Sequence, residues 1–329
     1  MNDPQVNEKA FLQRASDWPD CPQLSDLSAV TLREITRSEG VDFATALFYD
    51  RLRRSALHAP FIERIQSAGV RAGDGGLLPA TLVIVPGALY RERPEMGGDG
   101  HLVRELAERM GCRCELIPIG STHGVEANAR IVRQWLAACR ESAIVLVSLC
   151  KGSADVKLAL AAPDAAAVFR RVVAWVNVCG TVDGSLAADW VCESGVRAAI
   201  FRGLYWWRGR DFRFIESMRH DVGPLASPLR LPDGMRMVSI LGFPLRNHLS
   251  TRFARFSHGV ISRHGPNDGT VLLADALRWP SLVYPVWGAD HYLRPENRAR
   301  ELIAAVLEYL SEELSAASEP APLLADRLS

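Results

Sequence analysis

A chain of 329 residues can hold one large α/β domain or two smaller ones, and 48% hydrophobic with 23% charged residues is typical of a globular protein. The 38 basic and 38 acidic residues balance, so the overall charge does not favour binding to nucleic acid. No apolar run reaches the roughly 20 residues of a membrane-spanning helix, and the first residues lack the pattern of a secretory signal. We therefore expect a cytoplasmic protein without an integral membrane segment, whose seven cysteines are reduced.

The spacing of the possible metal ligands predicts no metal site. Cys112 and Cys114 are one residue apart, and the second cysteine pair of a structural zinc site is missing. His258, His264 and Asp268 match no metal-ligand spacing either. We expect neither a metal nor a cofactor.

The N-terminal quarter of the chain reads as a helical extension. Residues 1–24 are expected to be poorly ordered. Between residues 25 and 69, apolar residues such as Phe43, Leu47 and Phe48 recur at helical spacing, which predicts two or three amphipathic helices. A glycine-rich linker then follows up to residue 76.

Residues 77–315 alternate between predicted strands and helices. A closing helix is predicted at 295–314, and a flexible tail at 316–329. Continuous apolar strands that alternate with helices are typical of a mostly parallel sheet covered on both faces. The predicted strands are 81–85, 113–119, 143–149, 172–178, 235–241 and 281–287.

The alternation breaks between residues 184 and 233, where aromatic residues interleave with arginines. An insertion at this point lies over the carboxyl edge of the sheet, where it can form a lid on an apolar pocket. In that interpretation Trp206 and Trp207 contact the substrate. A helical subdomain that packs its own aromatic side chains is the alternative, and nucleic-acid binding is disfavoured by the neutral overall charge. The residues concerned are Trp190, Tyr205, Trp206, Trp207, Phe212 and Phe214, with Arg202, Arg208, Arg210 and Arg213 among them.

The strand predicted at 143–149 runs directly into Cys150, and a helix is predicted soon after. Small residues stand two positions before and after the cysteine, at Ser148 and Gly152, which is the pattern of a strand-to-helix turn that presents a nucleophile. The start of the following helix favours a thiolate at Cys150. Ser148 and Ser153 are alternative nucleophiles, although neither stands between small residues in this way.

A nucleophilic thiol needs a general base, and the base needs an acid that orients it. His291 lies in the loop that follows the last predicted strand. Asp268 lies in a turn at 267–271, between the last two predicted strands. Asp290 precedes His291 directly and is an alternative acid.

These three motifs resemble the α/β-hydrolase superfamily, on its lipase and esterase side, over about residues 78–314. The order of nucleophile, acid and histidine along the chain is the one expected for this superfamily. The resemblance implies that Cys150 is the nucleophile, Asp268 the acid and His291 the base. Asp183 is a further alternative acid, because some members of the superfamily place the acid after that strand.

The resemblance also implies an oxyanion hole. The backbone N–H of Lys151 would form the hole together with that of Ala88 or Leu89. The positive charge of Lys151 is expected to lower the pKa of the thiol. His123, at a predicted strand end, is a candidate substrate contact.

The chain departs from the usual lipase pattern at two places. Cys150 stands where serine is usual, and Pro86-Gly87 stands where His-Gly is frequent. A cysteine at this position is similar to dienelactone hydrolases, polyhydroxyalkanoate synthases and a minority of thioesterases and acyltransferases. A thiolate nucleophile forms a thioester with the acyl group, which can then pass to water or to another acceptor.

The leading hypothesis is therefore an enzyme that processes an ester or thioester bond in a small-molecule or carrier-bound acyl substrate. The alternative is a non-catalytic binding protein of hydrolase-like fold. A redox-sensing thiol, with Cys179 as the resolving cysteine, is a third hypothesis. Sequence leaves open the acyl group, the acceptor and the oligomeric state.

Overall fold

The computed structural model describes residues 4–68, 78–294 and 296–318, so the predicted linker at 71–76 and the end of the chain fall outside the description. Four helices precede the sheet. They are α1 (Pro4–Ser16), α2 (Ala29–Glu39), α3 (Val41–Arg54) and α4 (Ala59–Ala68).

The chain that follows α1, within the segment 1–24, contacts Arg51 of α3. The guanidinium group of Arg51 is buried and donates hydrogen bonds to the backbone carbonyls of Ala15, Trp18 and Cys21 at 2.7 to 3.0 Å. A charged group that satisfies three carbonyls fixes the irregular chain after α1 against α3. The sequence offers no local signal for this contact, because Arg51 lies 30 or more residues away.

Six parallel strands form one sheet, in the order β2-β1-β3-β4-β5-β6. Every residue of β1 and β3 is buried, so both faces of the sheet are covered there. The chain moves outward from β1 to β2 and then returns to β3 on the other side of β1. In a parallel sheet, this reversal opens a crevice at the carboxyl ends of the strands. The strands are β1 (Thr81–Val85), β2 (Cys114–Leu116), β3 (Ile144–Leu149), β4 (Val172–Val178), β5 (Arg236–Phe243) and β6 (Leu282–Trp287).

Helices connect the strands and close the domain. Three of them, α9 (Leu186–Cys192), α10 (Gly195–Trp207) and α11 (Arg213–Glu216), lie in the predicted insertion between β4 and β5. None of the described helices combines the length and apolar character that crossing a bilayer requires. The helices are α5 (His101–Arg109), α6 (Val125–Ala138), α7 (Gly152–Leu160), α8 (Ala165–Val168), α9 (Leu186–Cys192), α10 (Gly195–Trp207), α11 (Arg213–Glu216), α12 (Arg252–Ile261) and α13 (Glu296–Ser318).

The predicted fold class, a mostly parallel α/β sheet with helices, is confirmed. Two strands have the predicted bounds, 81–85 and 172–178. The strand predicted at 113–119 is shorter, since only Cys114–Leu116 pairs with β1. The last helix extends to Ser318, past the predicted start of the tail at 316.

Candidate active site

Cys150 stands between the end of β3 and the start of α7, with a positive φ of 49°. A non-glycine residue in this region is strained by about 1–3 kcal/mol, and such strain is typical of functional turns. Gly152 makes the turn possible, because a Cβ atom there would lie 2.5 Å from the carbonyl oxygen of Val85. The two small-residue positions of the motif therefore have different roles, since Ser148 is part of a buried hydrogen-bond network behind the turn.

The sulfur of Cys150 faces two backbone N–H groups, those of Lys151 and Ala88, which both lower its pKa. The N–H of Leu89 is already used, since it donates to the carbonyl of Ser121 at 3.0 Å. Of the two candidates after β1, Ala88 is thus the one with an N–H directed at the site. Gly87 allows this close approach, as a Cβ on Gly87 would lie 3.2 Å from that of Cys150.

His291 and Asp268 meet beside the thiol. The Nδ1 atom of His291 lies 3.0 Å from Oδ2 of Asp268. The other carboxylate oxygen of Asp268 accepts from the backbone N–H groups of Thr270 and Val271, at 2.8 and 2.7 Å. These contacts fix the carboxylate, which is fully buried, and leave one oxygen for the imidazole.

The Nε2 atom of His291 is buried and has no hydrogen-bond partner of ordinary geometry within the described residues. The Cys150 thiol is close enough for the two groups to shift each other's pKa. Burial by itself raises the pKa of Cys150, but the charge of His291 and the two N–H groups outweigh it, so the pKa is lowered. Burial likewise opposes protonation of His291, but Asp268 and Cys150 raise its pKa well above the usual value. The pair is therefore electrostatically suited to a thiolate and an imidazolium.

The two alternative acids are engaged elsewhere. One oxygen of Asp183 contacts the ammonium of Lys157, and the other accepts from the indole of Trp279 at 2.9 Å. Asp290 accepts from the backbone N–H and the hydroxyl of Ser250, at 2.7 and 2.6 Å. Asp268 is the carboxylate that the structure pairs with His291.

The two alternative nucleophiles are buried behind the turn. Trp175 Nε1 donates to Ser148 Oγ at 2.7 Å, and Ser148 Oγ lies 2.7 Å from Ser153 Oγ. Ser153 donates in turn to Asn177 Oδ1, also at 2.7 Å. Both serines are fully buried, so neither hydroxyl is available to a substrate.

The ammonium of Lys151 is paired with a buried carboxylate. Lys151 Nζ lies 2.6 Å from Asp155, and both side chains are buried. Asn128 Nδ2 also donates to this carboxylate, at 3.0 Å. The charge of Lys151 is thus paired with Asp155, while its backbone N–H lowers the pKa of the thiol.

Comparison with known proteins gives one informative likeness. No protein-family model matches the chain, and no curated protein matches it either. Among solved structures, the metagenomic carboxyl esterase MGS0156 aligns with a TM-score of 0.56 and 25% identity, over 72% of this chain and 78% of that one. The chain has the α/β-hydrolase fold. The mature lipase BlEst2 of Bacillus licheniformis aligns with a TM-score of 0.47 and 17% identity, over 71% of this chain and 96% of that one.

In this α/β-hydrolase fold, the thiol opens into a cavity of about 640 Å³. Its walls are largely apolar. The insertion contributes Trp190, Phe201, Tyr205 and Phe214, and α12 contributes Phe253 and Phe256.

Three predicted substrate contacts do not line this cavity. Trp206 and Trp207 are 81% and 75% exposed and are not among the lining residues. His123 is also exposed and lies outside the lining. Tyr205, next to Trp206 in sequence, is the aromatic residue at the end of α10 that faces the cavity. The aromatic composition of the segment predicted apolar contacts, but not which side of the helix makes them.

Cys179 and the question of metal binding complete the description of the site. Cys179 at the end of β4 is buried, and burial raises the pKa of its thiol, so it lacks the thiolate character of Cys150. Within the described residues, no cluster of three or more His, Cys, Asp or Glu side chains could hold a metal ion.

Proposed function

We propose that this protein hydrolyses ester or thioester bonds through a triad of Cys150, His291 and Asp268. One observation carries the proposal. A cysteine at a strained strand-to-helix turn faces two backbone N–H groups and stands beside a histidine that is paired with a buried carboxylate. This arrangement supplies the nucleophile, the base and the oxyanion donors that acyl transfer needs.

The first half of the reaction forms an acyl-enzyme. The thiolate of Cys150 attacks the carbonyl carbon, a C–S bond forms, and the carbonyl electron pair moves to oxygen. The N–H groups of Lys151 and Ala88 hold this oxyanion. When the tetrahedral intermediate collapses, the bond to the leaving group breaks, and the imidazolium of His291 gives that group its proton. The product is a thioester on Cys150.

The second half returns the enzyme to its starting state. Neutral His291 takes a proton from water, whose oxygen attacks the thioester carbonyl, and the same two N–H groups hold the oxyanion. The C–S bond then breaks, and the carboxylic acid leaves. Asp268 keeps the imidazole in the tautomer that presents Nε2 to the thiol throughout.

The likeness to a carboxyl esterase and the apolar cavity support this proposal. The cavity lining favours a substrate whose acyl part is apolar and bulky. The thioester intermediate can also react with an alcohol, an amine or a thiol, so transfer to such an acceptor competes with hydrolysis.

Replacement of the thiol tests the proposal. We expect Cys150→Ala to lower kcat/KM for p-nitrophenyl esters and acyl thioesters by about 10³ or more, because the covalent path is lost. Cys112→Ala is a matched control, since Cys112 is half-buried and distant in sequence from the turn. Circular dichroism shows whether each variant is folded.

Full activity in a folded Cys150→Ala variant would contradict the proposal. Undetectable turnover of all these substrates by the wild-type protein, with a thiol that alkylates no faster than a free cysteine, would favour the non-catalytic binding protein instead.

A further inference from the structure

The helix α10 carries apolar residues on two opposite sides. One side faces the cavity through Phe201 and Tyr205. The other side carries an outward stripe at helical spacing, which we call the outer face: Val196, Ile200, Leu204 and Trp207. Three of these four residues are more than 60% exposed, so most of the outer face takes no part in the packing of the described chain.

The outer face is strongly exposed. Val196 is 71% exposed, Ile200 63% and Trp207 75%. The neighbouring Trp206 is exposed by 81%. Single exposed apolar side chains are common, but a run of large ones along one helix marks an interaction surface.

Arginines outnumber acidic residues around α10, although the whole chain is neutral. Residues 193–216 contain five arginines and three acidic residues, Glu193, Asp211 and Glu216. Two of the arginines are paired, Arg202 with Glu216 at 3.0 Å and Arg213 with Asp211 at 3.7 Å. The guanidinium of Arg208 lies over the ring of Trp207, 5.9 Å from its centroid. Arg208 therefore places positive charge beside the apolar stripe.

We propose that α10 docks this protein on an anionic lipid surface. A helix with an exposed apolar stripe flanked by arginines lies in the plane of a bilayer interface, with the stripe among the acyl chains and the guanidinium groups among the phosphates. Tryptophan side chains favour this interfacial depth, because the ring is apolar and its N–H is polar. An acidic protein partner would satisfy the arginines, but it would not explain the exposed indole rings of Trp206 and Trp207.

Because α10 borders the cavity, docking through this helix affects how a substrate reaches the cavity. Phe253 and Phe256 of α12 are more than half exposed and line the same cavity as Phe201 and Tyr205. Docking through α10 therefore holds a wall of the cavity against the lipid, so an apolar molecule dissolved in the bilayer can reach it. The docking itself does not depend on the proposed function.

Vesicle flotation tests the docking. We expect the wild-type protein to float with vesicles of phosphatidylglycerol and phosphatidylcholine, and to bind about tenfold or more weakly to vesicles of phosphatidylcholine alone or at high salt. Tryptophan emission should shift to shorter wavelength on binding. Ile200→Glu should abolish both signals. Leu57→Glu is the matched control, because Leu57 is 65% exposed and lies in the N-terminal extension. Cys150→Ala should bind as the wild type does, which separates docking from catalysis.

Three results would overturn the proposal. The first is the absence of flotation with either vesicle. The second is equal loss of binding in Ile200→Glu and Leu57→Glu. The third is a stable dimer of the wild-type protein in light scattering that Ile200→Glu converts to a monomer, since the outer face would then be covered by a second copy.

Discussion

At the scale of single residues, Cys150 combines a strained backbone with a stabilised thiolate. Its positive φ directs the side chain away from the strand axis toward the N–H groups of Lys151 and Ala88. A cysteine is suited to this place because its thiol ionises far more readily than a hydroxyl, and His291 lowers its pKa further. The same two N–H groups that face the sulfur can hold the oxyanion of a substrate.

The electrostatic coupling of Cys150 and His291 predicts a broad plateau when kcat/KM is plotted against pH. The lowered pKa of Cys150 and the raised pKa of His291 mean that thiolate and imidazolium coexist between the two values. Acylation should fall as pH drops through the thiol pKa and again as pH rises through the imidazolium pKa. In Asp268→Asn the support for the imidazolium is lost, so the alkaline limb should move to lower pH and kcat/KM should fall by about 100-fold or more.

The control for this pH profile is Asp290→Asn, which changes a carboxylate next to His291 that does not contact its ring. The rate of iodoacetamide alkylation against pH reports the thiol pKa in each variant. An unchanged alkaline limb in Asp268→Asn, or the same shift in Asp290→Asn, would remove Asp268 from its assigned role.

At the scale of elements, the turn from β3 to α7 depends on the close approach of α7 to β1. We expect Gly152→Ala to lower the free energy of unfolding by about 1–3 kcal/mol, because the new Cβ would lie 2.5 Å from the carbonyl oxygen of Val85 and the backbone must move. Activity should fall with it, since the N–H of Lys151 moves too. Urea unfolding and kcat/KM check both effects.

Gly203→Ala is the matched control, because nothing lies within 4 Å of the new Cβ in α10. There we expect no loss of stability, since alanine favours a helix over glycine. Equal unfolding free energies in wild type and Gly152→Ala would show that the turn tolerates a side chain.

The elements show where sequence reasoning succeeded and where it had no signal. Long apolar strands and the small residues around Cys150 are local patterns, so the sheet and the turn could be predicted. The burial of Ser148 and Ser153 could not, because it depends on Trp175 and Asn177 of β4. The choice of Ala88 over Leu89 also depends on a distant contact, the carbonyl of Ser121.

At the scale of the whole molecule, the N-terminal extension contacts the part of the chain that carries the site. Glu8 of α1 contacts His248 at 2.7 Å, and Asp42 of α3 accepts from the backbone N–H of Arg246 at 3.0 Å. Both contacts reach the loop after β5, which also contains Ser250, the partner of Asp290 beside His291. These contacts join residues more than 200 positions apart, so local sequence patterns give no signal for them.

Replacement of Arg51 tests whether this side chain anchors the N-terminal extension. We expect Arg51→Met to lower the free energy of unfolding by about 2–4 kcal/mol, because three backbone carbonyls lose a charged donor. The chain after α1 should become sensitive to limited proteolysis. Arg53→Met on the same helix is the control, since Arg53 is exposed. Similar unfolding free energies and protease resistance in both variants would contradict the anchoring role of Arg51.

The neutral overall charge also gave no sign of a local surplus, the five arginines against three acidic residues in 193–216. The same applies to Trp206 and Trp207, whose exposure is set by the packing of the opposite side of α10 rather than by composition. Both features depend on the orientation of α10 in the folded protein, which the sequence alone does not give.

The central claim is that acyl groups pass through a thioester on Cys150, and trapping that intermediate tests it most directly. Wild-type protein is quenched with acid during turnover of an apolar acyl ester, and its intact mass and peptides are measured. We predict a mass gain of one acyl group on the peptide that contains Cys150, removed by neutral hydroxylamine, and no gain in Cys150→Ala. Turnover without this adduct, or an adduct on a serine, would contradict the account.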